Sequence, residues 1–286
     1  MSCELGEDPQ NHTCPRDAEG CVTQGNPLHW ASPCLNYAVQ VDGSRASKLD
    51  ADQIQALAEE AFLAWKAAQC PGGGSPHFEV NFQGYVSCDR REAVCGGADA
   101  NVNVLMFHDS GWTSGRSSIG VTTPTGGTQS GLIVNSDVEI NSEDYDFSSD
   151  DSGMMQASLL YVLAHEFGHF LGLAHSSAAG ALMSPAYQSL ALSQNLISDD
   201  DAAAICAAYP PGDTLTCSAS APAYDACQLA PGEKLACKLS SVTQDAGGCS
   251  CKLASRETRS PFGGGGSITA LSVLLATLVR RRRRVR

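Results

Sequence analysis

The sequence predicts an α+β fold, and three observations carry that prediction. Short runs of alternating apolar and polar residues, the pattern of half-buried strands, recur through the first half of the chain. One amphipathic helix, Leu49 to Cys70, interrupts them. A second helix, Ser152 to Leu171, follows them, and its Met155, Leu159, Leu160, Leu163, Phe167 and Phe170 would pack under a sheet. A chain of 286 residues suits one mid-sized domain with appendages.

The elements follow in order. In Leu35 to Val41, Leu35, Tyr37, Val39 and Val41 alternate with Asn36, Ala38 and Gln40, and His29-Trp30 leads into this strand. Asp50 can cap the first helix, whose apolar stripe is Ile54, Leu57, Ala58, Ala61, Phe62 and Trp65; Cys70-Pro71-Gly72-Gly73-Gly74 ends it. Phe78 to Phe82, Val102 to Phe107, Ile119 to Thr122 and Gly131 to Ile140 read as further strands, the last two around a turn at Pro124-Thr125-Gly126-Gly127. Asp137 and Glu139 read as a solvated strand face. Ser152 reads as the cap of the second helix, with Asp144, Asp146, Asp150 and Asp151 before it suiting the helix dipole. That acidic run raises calcium as a second candidate cation, although it lacks EF-hand spacing. Ser198 can cap a last helix, with Asp199, Asp200 and Asp201 in its first turn and Tyr209-Pro210-Pro211 at its end.

The chemistry is concentrated in His165-Glu166-Phe167-Gly168-His169-Phe170-Leu171-Gly172-Leu173-Ala174-His175. Histidines four apart lie one above the other on a helix face, so His165 and His169 can reach one metal ion. Gly172 can stop the helix through positive φ and bring His175 back as a third nitrogen ligand. Three histidines leave a tetrahedral position open, which is the arrangement of a catalytic zinc site and not of a closed structural one. Glu166 beside it can act as general base toward water.

This run resembles the zincin signature H-E-x-x-H and its metzincin extension H-E-x-x-H-x-x-G-x-x-H. Ala181-Leu182-Met183-Ser184-Pro185-Ala186-Tyr187 resembles the metzincin Met-turn, and Ser176 with Met-Ser-Pro-Ala-Tyr is similar to the matrixin branch. The resemblance is most specific from Tyr161 to Tyr187 and extends more weakly over Leu28 to Pro210. It implies a twisted, mostly parallel five-stranded sheet, an active-site helix and a C-terminal helix. It implies zinc on His165, His169 and His175, catalysis by Glu166, a hydrophobic floor at Met183, and Pro185 and Tyr187 at the pocket. It also implies that Ile119, Gly120, Val121 and Thr122 form the edge strand above the cleft, where an extended polypeptide substrate can add as a strand. The activity implied is zinc endopeptidase; the contrasting reading is a non-catalytic zinc-containing surface adhesin, against which the intact Glu166 argues. Matrixin zymogens often place a propeptide cysteine on the zinc, but Cys14-Pro15-Arg16-Asp17 does not reproduce that motif and reads as a disulfide cysteine. His12, His29, His77 and His108 read as surface or partly buried histidines; His108-Asp109 lacks the further ligands of the structural zinc site of animal matrixins.

The formal charge is −13, and six of the 18 basic residues are Arg280 to Arg284 and Arg286. The remaining body carries 12 basic against 31 acidic residues and would be repelled by nucleic acid and anionic lipid. Thirteen cysteines, none in the histidine motif, read mainly as disulfides formed outside the cytoplasm. Cys206 is expected to pair with a cysteine in the first third of the chain, Cys34 being one candidate. Met1 to Asp8 has no basic segment or apolar run and does not read as a secretory signal, so export would need a start upstream of Met1 or an omitted signal; cytosolic residence is the rival reading.

The expected organisation is an irregular Cys-containing leader at 1–27, the catalytic domain at 28–210, a Cys-containing stalk at 211–261 and a sorting or anchor segment at 262–286. In the last, Ile268 to Val279 is apolar but only 12 residues, about 18 Å as helix against a bilayer core of about 30 Å. With Cys249 and Cys251 before it and arginines after it, the layout resembles the Myxo-type C-terminal sorting signal. That resemblance implies transient membrane anchoring, tail removal at Cys249 or Cys251 and a cell-surface product; a plain membrane anchor is the competing reading.

Overall fold

Asp50 starts the first helix as its sequence predicts. In the computed structural model, which describes residues 27–87, 103–126, 131–149, 157–186, 196–212, 214–215 and 217, its carboxylate accepts from the Gln53 backbone N–H at 2.8 Å while the Gln53 side chain accepts from the Asp50 N–H at 3.0 Å. This capping box opens α1 (Ala51–Lys66), which buries the predicted stripe from Ile54 to Trp65. The helix stops four residues before Cys70, which is drawn into a turn and a disulfide.

The five expected strands form β2 (Cys34–Gln40), β3 (Glu79–Val86), β4 (Val104–Phe107), β5 (Gly120–Gly126) and β6 (Leu132–Ile140), and His29–Trp30 adds a short β1. The order is β1-β6-β4-β2-β3, all parallel, with β5 running antiparallel along β6. Among the described residues β5 pairs with β6 alone, so it is an edge strand. The expected turn at Pro124 is instead part of β5: proline lacks the N–H a central strand needs, but an edge strand accommodates it. A second, parallel pair joins β7 (Phe147–Ser148) to β8 (Ala157–Ser158).

Strand β8 leads straight into α2 (Leu159–Phe170). Its cap is Ser158, whose hydroxyl accepts from the Tyr161 N–H, and not the predicted Ser152, because Ala157 and Ser158 are held extended against β7. All twelve residues of α2 are buried. Phe62 of α1 stacks on Phe167 with ring centroids 3.9 Å apart, and the Trp65 indole donates to the Ala164 carbonyl at 2.8 Å. The last helix, α3 (Asp199–Ala208), is capped by Ser198 and ends at Tyr209 as predicted.

Among the described residues, two disulfides tie these elements together. Cys206 pairs with Cys70, in the first third of the chain as expected, but Cys34 pairs instead with Cys217. The start of the predicted stalk is thus held on β2.

The outer face of β6 also departs from expectation. Asp137 and Glu139 are buried: Asp137 accepts from the Val104 N–H at 2.9 Å, and Glu139 meets His108 Nε2 at 2.9 Å. Asp109 accepts from the hydroxyls of Ser44 and Ser142 and the backbone of Arg45 and Ala46; burial pushes its carboxyl up, but these bonds hold it below its ordinary range. These acids serve as acceptors that fix loops, and no acidic cluster with metal-ligating geometry occurs among the described residues. The calcium expectation therefore finds no support there.

Candidate metal centre

The end of α2 builds the site. Leu171 closes the helix, Gly172 follows at φ +99°, and the chain reverses. The Gly172 N–H bonds the His169 carbonyl and the Leu173 N–H bonds the Gly168 carbonyl, both at 2.9 Å, which is the Schellman pattern. A Cβ on residue 172 would lie 2.6 Å from the Leu28 carbonyl oxygen, so both conformation and space demand glycine. The next two orphan carbonyls find side-chain donors: the Trp30 indole reaches Phe170 O at 2.8 Å and the Tyr209 hydroxyl reaches Leu171 O at 2.9 Å.

The reversal returns His175 to the helix face that carries His165 and His169. One ligating atom from each imidazole lies within 4.8 Å of the other two. The outer ring nitrogens are taken by backbone: His165 Nδ1 meets Leu182 O at 2.7 Å and His169 Nδ1 meets Leu173 O at 2.8 Å. Carbonyls only accept, so both Nδ1 atoms are the protonated ones and both Nε2 lone pairs are free to ligate. His165 Nε2 is buried without a hydrogen-bond partner, and His169 Nε2 stands 3.1 Å from His175 Nε2. Burial holds His165 below the usual imidazole range; burial and then the neighbouring His165 and His175 rings hold His169 well below it. A buried, unprotonated nitrogen without a partner, facing two more, fits a soft-to-borderline dication such as zinc.

The Met-turn is held from two sides. The Met183 carbonyl accepts from the Ser176 N–H at 2.8 Å, one residue after His175. From α3, Asp201, only 1% exposed, accepts from the Leu182 N–H at 2.7 Å and the Met183 N–H at 3.1 Å, and also from Ser198. Asp201 therefore fixes the peptide whose Leu182 carbonyl orients His165. Its sequence context marks it only as a helix-dipole acid, because its partners lie 18 and 19 residues away. The Met183 thioether packs on α2, where a Cβ on Gly168 would lie 2.2 Å from its sulfur. Pro185 follows, half-buried, while Tyr187 lies outside the described residues, as do Cys249 and Cys251.

Glu166, 1% exposed, points to β5. Its carboxylate accepts from the Thr122 hydroxyl at 2.6 Å. Of the expected edge-strand residues, Gly120, Val121 and Thr122 lie in β5, and Ile119 precedes it, its carbonyl accepting from the Asn141 N–H. Burial pushes the Glu166 carboxyl up to about 7, against a downward pull from its bonds to Thr122.

Two outcomes follow. A carboxyl whose folded pKa exceeds its unfolded value costs the metal-free protein stability as pH rises from about 4.5 to about 7. Metal-free Glu166→Gln should thus gain on wild type across that window, by up to about 3 kcal/mol in urea unfolding; a difference independent of pH would refute the assignment. Asp201→Ala should lower zinc affinity by about 10–100-fold in chelator competition, since it frees the peptide that orients His165.

Comparison with known proteins agrees with this geometry. The family profile described as Matrixin matches residues 95–210. Matrix metalloproteinase-27 of Tupaia belangeri is 45% identical over 71 residues, 25% of this chain and 13% of that protein. Matrilysin of Mus musculus is 35% identical over 79 residues, 28% and 29% of the two chains, and neutrophil collagenase of Homo sapiens is 52% identical over 52 residues, 18% and 11%. The chain thus spans between 11% and 29% of the length of these relatives. Within that span, the profile, the relatives and the histidine triad together support a matrixin-like metallopeptidase domain.

Proposed function

We propose that the chain is a zinc-dependent endopeptidase that hydrolyses peptide bonds of extended polypeptides. The observation that carries the reading is the convergence of three imidazoles within 4.8 Å, next in sequence to a buried carboxylate. His165, His169 and His175 would hold the zinc, which when bound supplies a Lewis acid for the scissile carbonyl and for water. Glu166 takes the proton of the attacking water and returns it to the leaving amine. Burial, opposed by the bonds to Thr122, places the Glu166 carboxyl at about 7, and a dication held by the three imidazoles would favour its ionised, proton-accepting form. Among the described residues β5 pairs with β6 alone, which supports the alignment of an extended substrate along its other side by strand addition. Met183, buried against α2, would form the hydrophobic floor, and the half-buried Pro185 would border the pocket.

Two disulfides among the described residues fit an oxidising compartment and support an extracellular or cell-surface location. The terminal pattern around Cys249 and Cys251 supports transient membrane sorting. Glu166→Ala should reduce hydrolysis of a mixed quenched-peptide library at least about a hundredfold while zinc content stays at one per chain. Equal rates in both proteins would instead favour a binding role.

A further inference from the structure

We propose that Thr122, together with the space left by Gly120, is a positioning residue that holds Glu166 in one rotamer and couples it to β5. The proposal rests on the peptidase reading above. A carboxylate with almost no exposure must find hydrogen bonds inside the protein. Glu166 Oε2 receives one from Thr122 Oγ1 at 2.6 Å, and the same hydroxyl lies 3.0 Å from the Glu166 backbone carbonyl. A hydroxyl has one proton, and the shorter, charge-assisted contact to the carboxylate claims it. Thr122 is itself buried and fixed in register opposite Val138 of β6, and a β-branched side chain has few rotamers to lose.

Residues two apart on a strand face the same way, so Gly120 lies beside Thr122 under the same glutamate. A Cβ on residue 120 would approach Glu166 Oε1 to 2.7 Å and its Cγ and Cδ to 3.0 Å. Gly120 thus supplies room and Thr122 supplies the donor: a socket for one side chain with three free torsions. The socket belongs to the strand that, among the described residues, pairs with β6 alone. A peptide that pairs with β5 therefore aligns against the same backbone that positions the base.

The experiment uses the whole 286-residue chain. Thr122→Val keeps the shape and removes the donor. In the zinc-loaded protein it should lower kcat at least about tenfold, the worth of one hydrogen bond to a charged group, with KM and zinc affinity by chelator competition within about threefold of wild type. Thr122→Ser should restore kcat to within about threefold. In the metal-free protein, Thr122→Val should lower Tm when Glu166 is present and much less in a Glu166→Ala background. An unchanged kcat, a loss that serine does not rescue, a parallel loss of zinc affinity or an equal Tm drop in both backgrounds would overturn the proposal. If Glu166→Ala itself hydrolyses peptides at the wild-type rate, the peptidase reading fails instead, and the unfolding cycle alone decides the socket.

Discussion

The site depends on the way α2 stops. A helix can align two imidazoles, but it cannot supply a third within reach of the same ion without turning back on itself. The Schellman closure at Gly172 makes that turn, and it leaves Leu173 where its carbonyl receives the His169 ring. One local motif thus ends the helix, reverses the chain toward His175 and fixes the tautomer of a neighbouring histidine. The close approach to the Leu28 carbonyl explains why no side chain can replace the glycine. Trp30 and Tyr209, one from the first strand and one from the end of α3, satisfy the last carbonyls of the same helix end. The first and last parts of the domain therefore meet where the metal chemistry is assembled.

Polar groups at the site are buried in an order that leaves little slack. Asp201 holds the Met-turn, the Met-turn holds His165 through Leu182, and Ser176 links the Met-turn back to the segment bearing His175. The bonds of Asp201 to Leu182 and Met183, and of Leu182 to His165, are buried, where an unmade bond costs about 1–3 kcal/mol. Such a frame holds its nitrogens in place before an ion arrives, which reduces the reorganisation that binding requires. The aromatic stack of Phe62 on Phe167 and the Trp65 bond to Ala164 seat the helix from the other side.

What a sequence can disclose here follows from the range of the interactions. The α1 stripe, the Asp50 and Ser198 caps, and the end of α3 at Tyr209 are local patterns and were legible. The histidine triad was legible because helix periodicity and one glycine nearly determine it. The start of α2 was misplaced because Ser158 and Ser152 are equally good caps, and only the pairing with β7 selects the former. Pro124 looked like a turn residue because edge-strand status is a property of the sheet. The burial of Asp137 and Glu139, the Cys34–Cys217 pairing and the contacts of Thr122 and Asp201 all join residues far apart along the chain, so no local pattern announces them.

The central claim is that three imidazoles, and no other side chain, take one zinc ion. Zinc K-edge X-ray absorption on the stoichiometrically loaded protein measures this directly. The account predicts three imidazole nitrogens and one further light atom at about 2.0–2.1 Å. A sulfur shell at about 2.3 Å, or fewer than three imidazoles, would contradict it.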